Sequence, residues 1–221
     1  MIDLKLLEHL ENIITPERKA RFDTVLPERT KYFTVATEDV YQLHNTSAVI
    51  RSCDVFGIQE VNIVEEKNSK RIDREIAMGA QKWVDLNRYN HVKDCIADLK
   101  RKGYQIVATT PHENDCELHD FDVSKPSCFF FGRETEGLSQ AVLDEADSFL
   151  KIPMVGFTES LNISVSAAII LQHVTTKLKR TNIEWRLTEE EQLEKRMDWI
   201  KSTIKSYDEI VEHFYSNQKS E

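Results

Sequence analysis

The chain has 221 residues, 40% of them hydrophobic, and a formal net charge of −9 at pH 7. This length supports one sizeable domain with appendages or two small domains, and the apolar content is enough to fill a core. The acidic balance argues against a uniformly basic nucleic-acid-binding surface, although a local basic segment is compatible with it.

The cysteines and the first residues indicate a soluble, cytoplasmic protein. The four cysteines form no CxxC pair, which favours reduced thiols over a disulfide framework or a zinc site. Residues 1–14 carry charges throughout and predict an amphipathic helix, not a signal peptide. No apolar run approaches the roughly 18 residues of a membrane span, so no membrane partner is expected.

Residues 1–31 are predicted to form an N-terminal helical basic arm. Apolar residues recur at helical spacing over 2–14, and Thr15-Pro16-Glu17 is a typical helix start. The segment that follows contains Arg18, Lys19, Arg21, Arg29 and Lys31. Two interpretations remain open for it: a solvated helix face, or an arm that binds a polyanion.

Strands and helices alternate between residues 32 and 178. Apolar and β-branched stretches predict strands at 32–37, 60–64, 84–89, 104–109, 127–131 and 149–152. Helical stretches are predicted at 45–56, 72–83, 91–102, 139–146 and 161–178. Short connections between alternating elements predict an α/β fold in which helices sandwich a parallel sheet.

Residues 179–221 are predicted to form a C-terminal helical extension. A highly charged stretch at 188–215 carries apolar residues at helical spacing, among them Trp199 and Phe214. The apolar face of such a helix needs a surface to cover it. We expect the extension to dock on the core or on a second subunit.

Asn45, Ala48 and Arg51 form the first of three patterns that could carry chemistry. Steps of three residues keep them near one face of the predicted helix. Asn45 is suited to capping that helix. Arg51 lies among apolar residues, where a guanidinium requires either an ion-pair partner or a functional site.

The second pattern is the segment 131–139, in which a predicted strand enters a loop with Gly132, Glu134 and Gly137 before a helix begins. It is not the GxGxxG sequence of dinucleotide-binding folds, and the chain contains no phosphate-binding GK[ST] loop. An unrelated nucleotide-dependent α/β enzyme is therefore disfavoured. Glycine spacing alone fits an ordinary strand-to-helix turn.

The third pattern occupies residues 150–166. A short strand stops at Pro153, an irregular loop follows, and an apolar helix begins near Leu161. Ser160 and Asn162 stand at the helix start, where capping explains only one of them. A loop at a helix N-terminus beside a parallel sheet is a common ligand site in α/β proteins.

The seven histidines predict neither a metal centre nor a hydrolase site. They form no HxxxH or HxH pair, so no metal is expected. No Ser-His-Asp arrangement can be argued from their spacing.

In this order and spacing, the three patterns resemble the SpoU/TrmH branch of the SPOUT superfamily of RNA methyltransferases. The first family motif matches Asn45-xx-Ala48-xx-Arg51, and the second matches Phe131-Gly132-x-Glu134-xx-Gly137. The third matches residues 152–165, and the whole resemblance spans about 18–178. Around His44-Asn45 and Lys82-Trp83-Val84 the chain is most similar to the branch members that modify guanosine-18 of tRNA.

The resemblance implies a fold and an assembly that the residue patterns alone do not predict. Residues 32–178 would form a methyltransferase domain with a C-terminal trefoil knot. Two copies would form a homodimer with the site shared between subunits. The cofactor S-adenosyl-L-methionine would be held by backbone around Thr109, Gly132, Ile152 and Leu161.

The resemblance also implies which side chains serve the reaction. Asn45, Arg51, Glu134, Ser160 and Asn162 would be the catalytic residues. The RNA-binding residues of the N-terminal arm would be Arg18, Arg21 and Arg29, which favours the polyanion interpretation of this segment. The basic run at 175–180 departs from the arginine-rich pattern usual in the family, so no RNA contact is assigned to it.

The implied activity is methylation of a tRNA ribose 2′-oxygen, at guanosine-18 of the D-loop. The family proposal makes the motif arginine the base. Since a guanidinium normally stays protonated, clamping a phosphate and stabilising the alkoxide is the physically safer role. Two alternatives remain: a ribosomal RNA 2′-O-methyltransferase, and a non-catalytic RNA-binding module with the same fold.

Overall fold

The computed structural model describes residues 2–40, 42–66, 77–111, 116–133 and 135–218. The chain divides into two compact units, one made of Met1–Arg29 with Arg186–Glu221 and the other of Thr30–Trp185. The two terminal extensions therefore belong to one unit, which we call the terminal unit. The predicted division into domains 1–31, 32–178 and 179–221 stays a prediction.

A parallel sheet forms the centre of the larger unit. Its strands are β1 (Phe33–Glu38), β2 (Glu60–Val64), β3 (Asp85–Tyr89), β4 (Gln105–Thr109), β5 (Cys116–Glu117), β6 (Ser127–Phe131) and β7 (Ser148–Lys151). They are ordered β3-β2-β1-β6-β4-β7-β5, and neighbouring strands run parallel. This confirms the predicted parallel α/β fold. The two-residue strand β5 was missed because it is too short to show a periodicity.

Helices flank the sheet and build the terminal unit. They are α1 (Leu4–Glu11), α2 (Pro16–Val25), α3 (Leu43–Val55), α4 (Val92–Arg101), α5 (Gln140–Glu145), α6 (Ile163–Leu178), α7 (Glu189–Thr203) and α8 (Tyr207–Gln218), with 3-10 turns at Leu26–Glu28 and Ala80–Lys82. None of the helices within the described ranges is long and apolar enough to cross a membrane.

Two apolar cores lie on opposite faces of the sheet. In β6, Phe129 and Phe131 pack into a core with α3 and α6, whereas Cys128 and Phe130 pack into a core with α4 and α5. This alternation is the one expected of a strand, because successive side chains point to opposite faces. A strand that is buried on both faces has a nearly continuous apolar sequence. The sequence of β6, SCFFF, follows this pattern.

The strand order brings several loops to one edge of the sheet. β4 lies between β6 and β7, and β1 lies next to β6 on the other side. Since these strands are parallel, the loops that follow them leave from the same edge. The second and third motifs both occupy such loops. Ligands commonly bind at this edge, where the strand order changes direction.

Two helix predictions need comment. The predicted helix 72–83 lies partly outside the described residues, and its described end contains the 3-10 turn Ala80–Lys82. The stretch 188–215, predicted as one helix, forms α7 and α8, because Ile204 takes an extended conformation between them. Apolar residues continue across this break at nearly helical spacing, so the periodicity did not reveal it.

In the terminal unit, the C-terminal helices pack against the N-terminal ones. The Trp199 ring lies 5.4 Å from the Phe22 ring, and the His9 and Phe214 rings are 5.0 Å apart. The Tyr215 hydroxyl is 3.0 Å from Asp3 Oδ2. The N-terminal helices therefore cover the apolar face of the extension, a docking surface that the sequence did not suggest.

Candidate active site

The first and third motifs meet in a hydrogen bond between two asparagines. Asn162 Nδ2 donates to Asn45 Oδ1 over 3.0 Å, although the residues are 117 positions apart. Asn162 is also the N-cap of α6, because its Oδ1 accepts from the backbone N–H of Ser164 over 2.9 Å. The bond therefore ties the start of α3 to the start of α6, and it fixes the end of the loop 152–162, which we call the third-motif loop.

Asn45 does not cap its own helix, so that prediction was wrong. Helix α3 begins at Leu43, and Gln42 occupies the N-cap position without a capping hydrogen bond. Asn45 is buried within the first turn, where its amide oxygen accepts from α6 instead. The sequence placed Asn45 at a helix start correctly, but the partner of its side chain is distant in sequence.

Arg51 lies almost two turns beyond Asn45 on α3. Six residues correspond to a rise of about 9 Å along the helix axis. The side chain is exposed, not buried among apolar neighbours as its sequence context suggested. Within the described part of the chain it forms no ion pair or hydrogen bond. An exposed guanidinium of this kind can bind an external anion such as a phosphate.

Backbone contacts shape the loop 132–138 after β6, which we call the second-motif loop. Arg133 N–H donates to Gly137 O, and Gly137 N–H donates to Arg133 O, both over 3.0 Å. Gly132 is buried, and a Cβ at this position would overlap the backbone of Gly137 and Leu138. Gly137 has a φ of 70°, a left-handed conformation that favours glycine. The geometry of the loop thus explains why both positions of the motif are glycine.

A buried carboxylate holds the far end of this loop. Glu38, the last residue of β1, is buried, and its Oε2 accepts from Ser139 N–H over 2.8 Å. Thr37 pairs with Phe131 across β1 and β6, so Glu38 at the end of β1 lies beside Gly132, which directly follows β6. The sequence analysis did not select Glu38. The available signal was a carboxylate at the end of an otherwise uncharged strand.

Three of the four predicted cofactor positions lie at the ends of neighbouring strands. Thr109 ends β4, Gly132 directly follows β6, and Ile152 directly follows β7. Thr109 Oγ1 donates to Phe130 O over 2.6 Å, which links β4 to β6. The fourth position, Leu161, is exposed just before α6.

The second-motif loop and Ser139, which directly follows it, also carry polar atoms that suit a ligand. Among the residues that the structure describes, Ser139 Oγ and Arg133 Nε are buried without a hydrogen-bond partner. Buried polar groups normally have partners, so these two atoms are available for hydrogen bonds to a bound ligand. Together with the backbone groups at the strand ends, they fit a small polar cofactor.

The third-motif loop is exposed. Val155 and Phe157 are fully exposed, and Ser160 is also on the surface. Leu161, Val165 and Ile169 follow at intervals of four residues, so an exposed apolar stripe continues along α6. A contiguous apolar surface of this kind commonly marks a binding interface.

The remaining predicted residues are placed as follows. Glu134 lies outside the described residues. In the terminal unit, Arg18 and Arg21 are exposed on α2. Arg29 is completely buried, and its guanidinium lies 5.4 Å from the centre of the Trp199 ring. The RNA-binding role of all three arginines stays a prediction, and the structure gives Arg29 a packing role in this unit.

The model of the SpoU rRNA Methylase family matches residues 32–172. This is more than half of the chain, and it contains all three motifs. The chain belongs to the SpoU family. The hydrogen bond between Asn45 and Asn162 thus joins two motifs of a SpoU methylase domain, and the terminal unit lies outside the matched residues.

Relatives and solved structures extend the comparison. The chain is 38% identical over 204 residues to the tRNA (guanosine(18)-2′-O)-methyltransferase of Borreliella burgdorferi, covering 92% of this chain and 94% of that protein. The crystal structure of the TrmH/SpoU tRNA modifying enzyme of Aquifex aeolicus matches with a TM-score of 0.78 and 29% identity, over 85% of this chain and 97% of that one.

A cofactor-bound structure is also similar to this SpoU-family chain. The AdoMet-bound rRNA methyltransferase from Sinorhizobium meliloti matches with a TM-score of 0.61 and 25% identity, over 71% of this chain and 60% of that one. SpoU-family domains use S-adenosylmethionine, which agrees with the loop geometry above. Within the described ranges, no group of three or more His, Cys, Asp or Glu residues is placed to hold a metal ion.

Proposed function

We propose that this protein methylates the 2′-oxygen of a tRNA ribose, at guanosine-18, with S-adenosylmethionine as the methyl donor. The likeness to the Borreliella burgdorferi tRNA (guanosine(18)-2′-O)-methyltransferase carries this proposal, because it covers 92% of the chain. It therefore includes much of the terminal unit as well as the SpoU domain. A similarity confined to the SpoU domain would not distinguish tRNA from ribosomal RNA.

The loops at the sheet edge would hold the cofactor. S-adenosylmethionine supplies an activated methyl group when it is bound. Backbone at Thr109, Gly132, Ile152 and Leu161 would hold it, and Glu38 keeps the second-motif loop in place. Catalysis then depends largely on aligning the ribose oxygen with the methyl group, since a well-oriented pair avoids most of the entropic cost of the encounter.

Arg51 would act on the RNA. As the 2′-oxygen would take the methyl group and release S-adenosylhomocysteine, its proton would pass to solvent or to a substrate phosphate, so negative charge develops on the oxygen. An exposed, protonated guanidinium suits a bidentate contact with a substrate phosphate and stabilises that charge. The other family role, in which the arginine takes the proton, requires a neutral guanidinium and is therefore disfavoured. The proposed set of catalytic residues also contains Asn45, Glu134, Ser160 and Asn162.

The proposal includes a homodimer and a trefoil knot. The exposed stripe of Leu161, Val165 and Ile169, continued by Phe157, supports the dimer. This surface adjoins the third-motif loop, so a second copy would complete the site, as the family resemblance implies. The knot would be formed by the segment after β7, and it rests on family membership.

The arm residues Arg18 and Arg21 would contact tRNA phosphates. Both are exposed on α2, which is the property that phosphate contacts require. Arg29 is buried over Trp199, so its predicted contact with RNA has less support. The cytoplasmic location predicted from the sequence stays a prediction.

Mass spectrometry of RNA treated with the protein and S-adenosylmethionine tests the function. We expect one 2′-O-methylguanosine per tRNA, mapped to position 18 by nuclease digestion. A matched tRNA with 2′-deoxyguanosine at position 18 should gain no methyl group. Methylation of ribosomal RNA in place of tRNA would favour the first alternative. Binding of RNA without any methyl transfer would favour the non-catalytic module.

A further inference from the structure

Arg196 on α7 connects the two N-terminal helices. Its Nη1 lies 2.6 Å from Asp23 Oδ1 on α2, and its Nε forms an ion pair with Glu11 at the end of α1. Glu11 also accepts from Lys19 Nζ over 2.6 Å. The four side chains form a network with two positive and two negative charges, which sum to zero.

The network is held more firmly than a surface ion pair. The Arg196 side chain is only 14% exposed. Burial opposes its charged form, but the hydrogen bonds to Asp23 and Glu11 outweigh this effect and raise the pKa of Arg196. The guanidinium therefore stays charged, and it contacts both carboxylates at once.

The network lies close to the proposed RNA-binding residues. Asp23 is 57% exposed and follows Arg21 by two residues and Arg18 by five on α2. The axial rise over five residues is about 7.5 Å, and the side-chain charges lie farther apart because they point to different sides of the helix. At low salt the screening length is about 30 Å, so these charges still interact. An unpaired carboxylate at Asp23 would thus weaken the attraction between α2 and a phosphate.

We propose that Arg196 is a positioning residue for the RNA-binding arm: by neutralising Glu11 and Asp23 it keeps a net positive charge on α2, which also carries Glu17, Arg18 and Arg21, toward tRNA. This inference rests on the proposed function of the arm. It assigns the C-terminal extension a task in substrate binding, although the extension supplies no phosphate contact itself.

The test measures the affinity of the full-length protein for fluorescent tRNA by anisotropy, without cofactor. Arg196→Met leaves the network with a charge of −1, and we expect affinity to fall roughly 3- to 10-fold at low salt. The loss should shrink as salt increases. In Arg196→Met/Asp23→Asn the network is neutral again, and affinity should return to within twofold of wild type. Asp23→Asn alone should bind more tightly than wild type.

Lys201→Met is the matched control. Lys201 is an exposed residue of the same helix, so this variant has the same net charge as Arg196→Met. We expect it to keep nearly wild-type affinity. Circular dichroism confirms that each variant is folded.

The possible results are distinguishable. Failure of Asp23→Asn to restore binding would mean that Arg196 acts as a structural brace, and the inference would be wrong. An equal loss of tRNA affinity in Lys201→Met would show that net charge alone causes the effect, and the inference would again be wrong. If Arg18→Ala and Arg21→Ala keep full affinity, the proposed function of the arm fails instead.

Discussion

Different kinds of contact hold the two parts of the candidate site. A side-chain hydrogen bond between Asn45 and Asn162 joins the first and third motifs. Backbone hydrogen bonds, two glycines and the carboxylate of Glu38 fix the second-motif loop. Asn45 and Asn162 belong to the proposed catalytic set, whereas Gly132 belongs to the proposed cofactor site. We therefore expect substitutions in the first part to affect chemistry, and substitutions near the second to affect cofactor binding.

The largest expected effect is that of Arg51→Ala. Loss of a charged donor that stabilises a developing oxyanion typically costs about 100- to 1,000-fold in rate, so kcat should fall by at least about 100-fold. The dissociation constant for S-adenosylmethionine should change little, because Arg51 would face the RNA. Single-turnover rates and calorimetric titration of the cofactor measure the two quantities. Near-normal turnover would show that Arg51 is not a catalytic residue.

Arg51→Lys is the matched control for charge. It keeps the positive charge but loses the planar fork that binds a phosphate bidentately. We expect intermediate activity, well below that of wild type. Full activity would show that charge alone is sufficient.

Asn45→Ala is expected to have the next largest effect. It removes the hydrogen bond from Asn162, whose exposed amide can bond to water instead, so the free energy of unfolding should fall by about 0.5–1.5 kcal/mol. Asn162→Ala should cost about 1 kcal/mol more, because it also removes the cap of α6. Urea unfolding measures both. In a double-mutant cycle the combined loss should be smaller than the sum, and strictly additive losses would contradict the coupling.

Glu38→Ala tests the second part of the site. Ser139 N–H would lose its acceptor, and the second-motif loop would no longer be held at that end. We expect the KM for S-adenosylmethionine to rise roughly tenfold while kcat stays within about threefold, since the lost contact orders the cofactor loop. Glu38→Gln keeps an acceptor oxygen, so its KM for S-adenosylmethionine should be close to that of wild type.

Asp147→Ala is the matched control for Glu38→Ala. Asp147 Oδ2 accepts from Ile106 N–H over 2.7 Å, which is the same kind of bond at the opposite end of the strands. Its removal should lower stability without changing the KM for the cofactor. An equal rise in KM for both alanine variants would show that general loss of stability, not the loop, is responsible.

The same contrast explains how much the sequence could predict. Except for the two-residue strand β5, the strands between residues 33 and 151 were found because apolar runs and turn residues mark them locally. Asn45, Arg51 and Asn162 were found through motif spacing, and the structure shows contact between two of them. Glu38 was missed because its partner is a backbone N–H at Ser139, 101 residues away. A backbone group leaves no signal in residue identity.

The terminal unit shows the same limit. The basic segment on α2 was visible as a run of arginines. Its neutralising partner Arg196 was not, because Glu11 and Asp23 are 185 and 173 residues away from it. Local spacing cannot predict such an ion pair, which depends on how the two ends of the chain pack.

The smallest expected effect concerns α6, the helix that follows the third-motif loop. Burial, together with the charges of Lys177 and His119, lowers the pKa of His173 from its ordinary value of 6.5. The folded state therefore binds fewer protons than the unfolded state near that value. The stability associated with neutral His173 is complete above pH 6.5 and is lost as the pH falls toward the folded-state pKa.

His173→Gln should remove this dependence. Urea unfolding above and below pH 6.5 measures this dependence. On acidification, the free energy of unfolding should fall less in the variant than in wild type. The difference should be less than about 1 kcal/mol, because the side chain is partly exposed. Equal losses would contradict the assignment. The KM for the cofactor should not change, because His173 lies ten residues beyond the start of α6, about 15 Å along the helix axis from the end of the third-motif loop. A change in KM would show that the two parts of the site are coupled through α6.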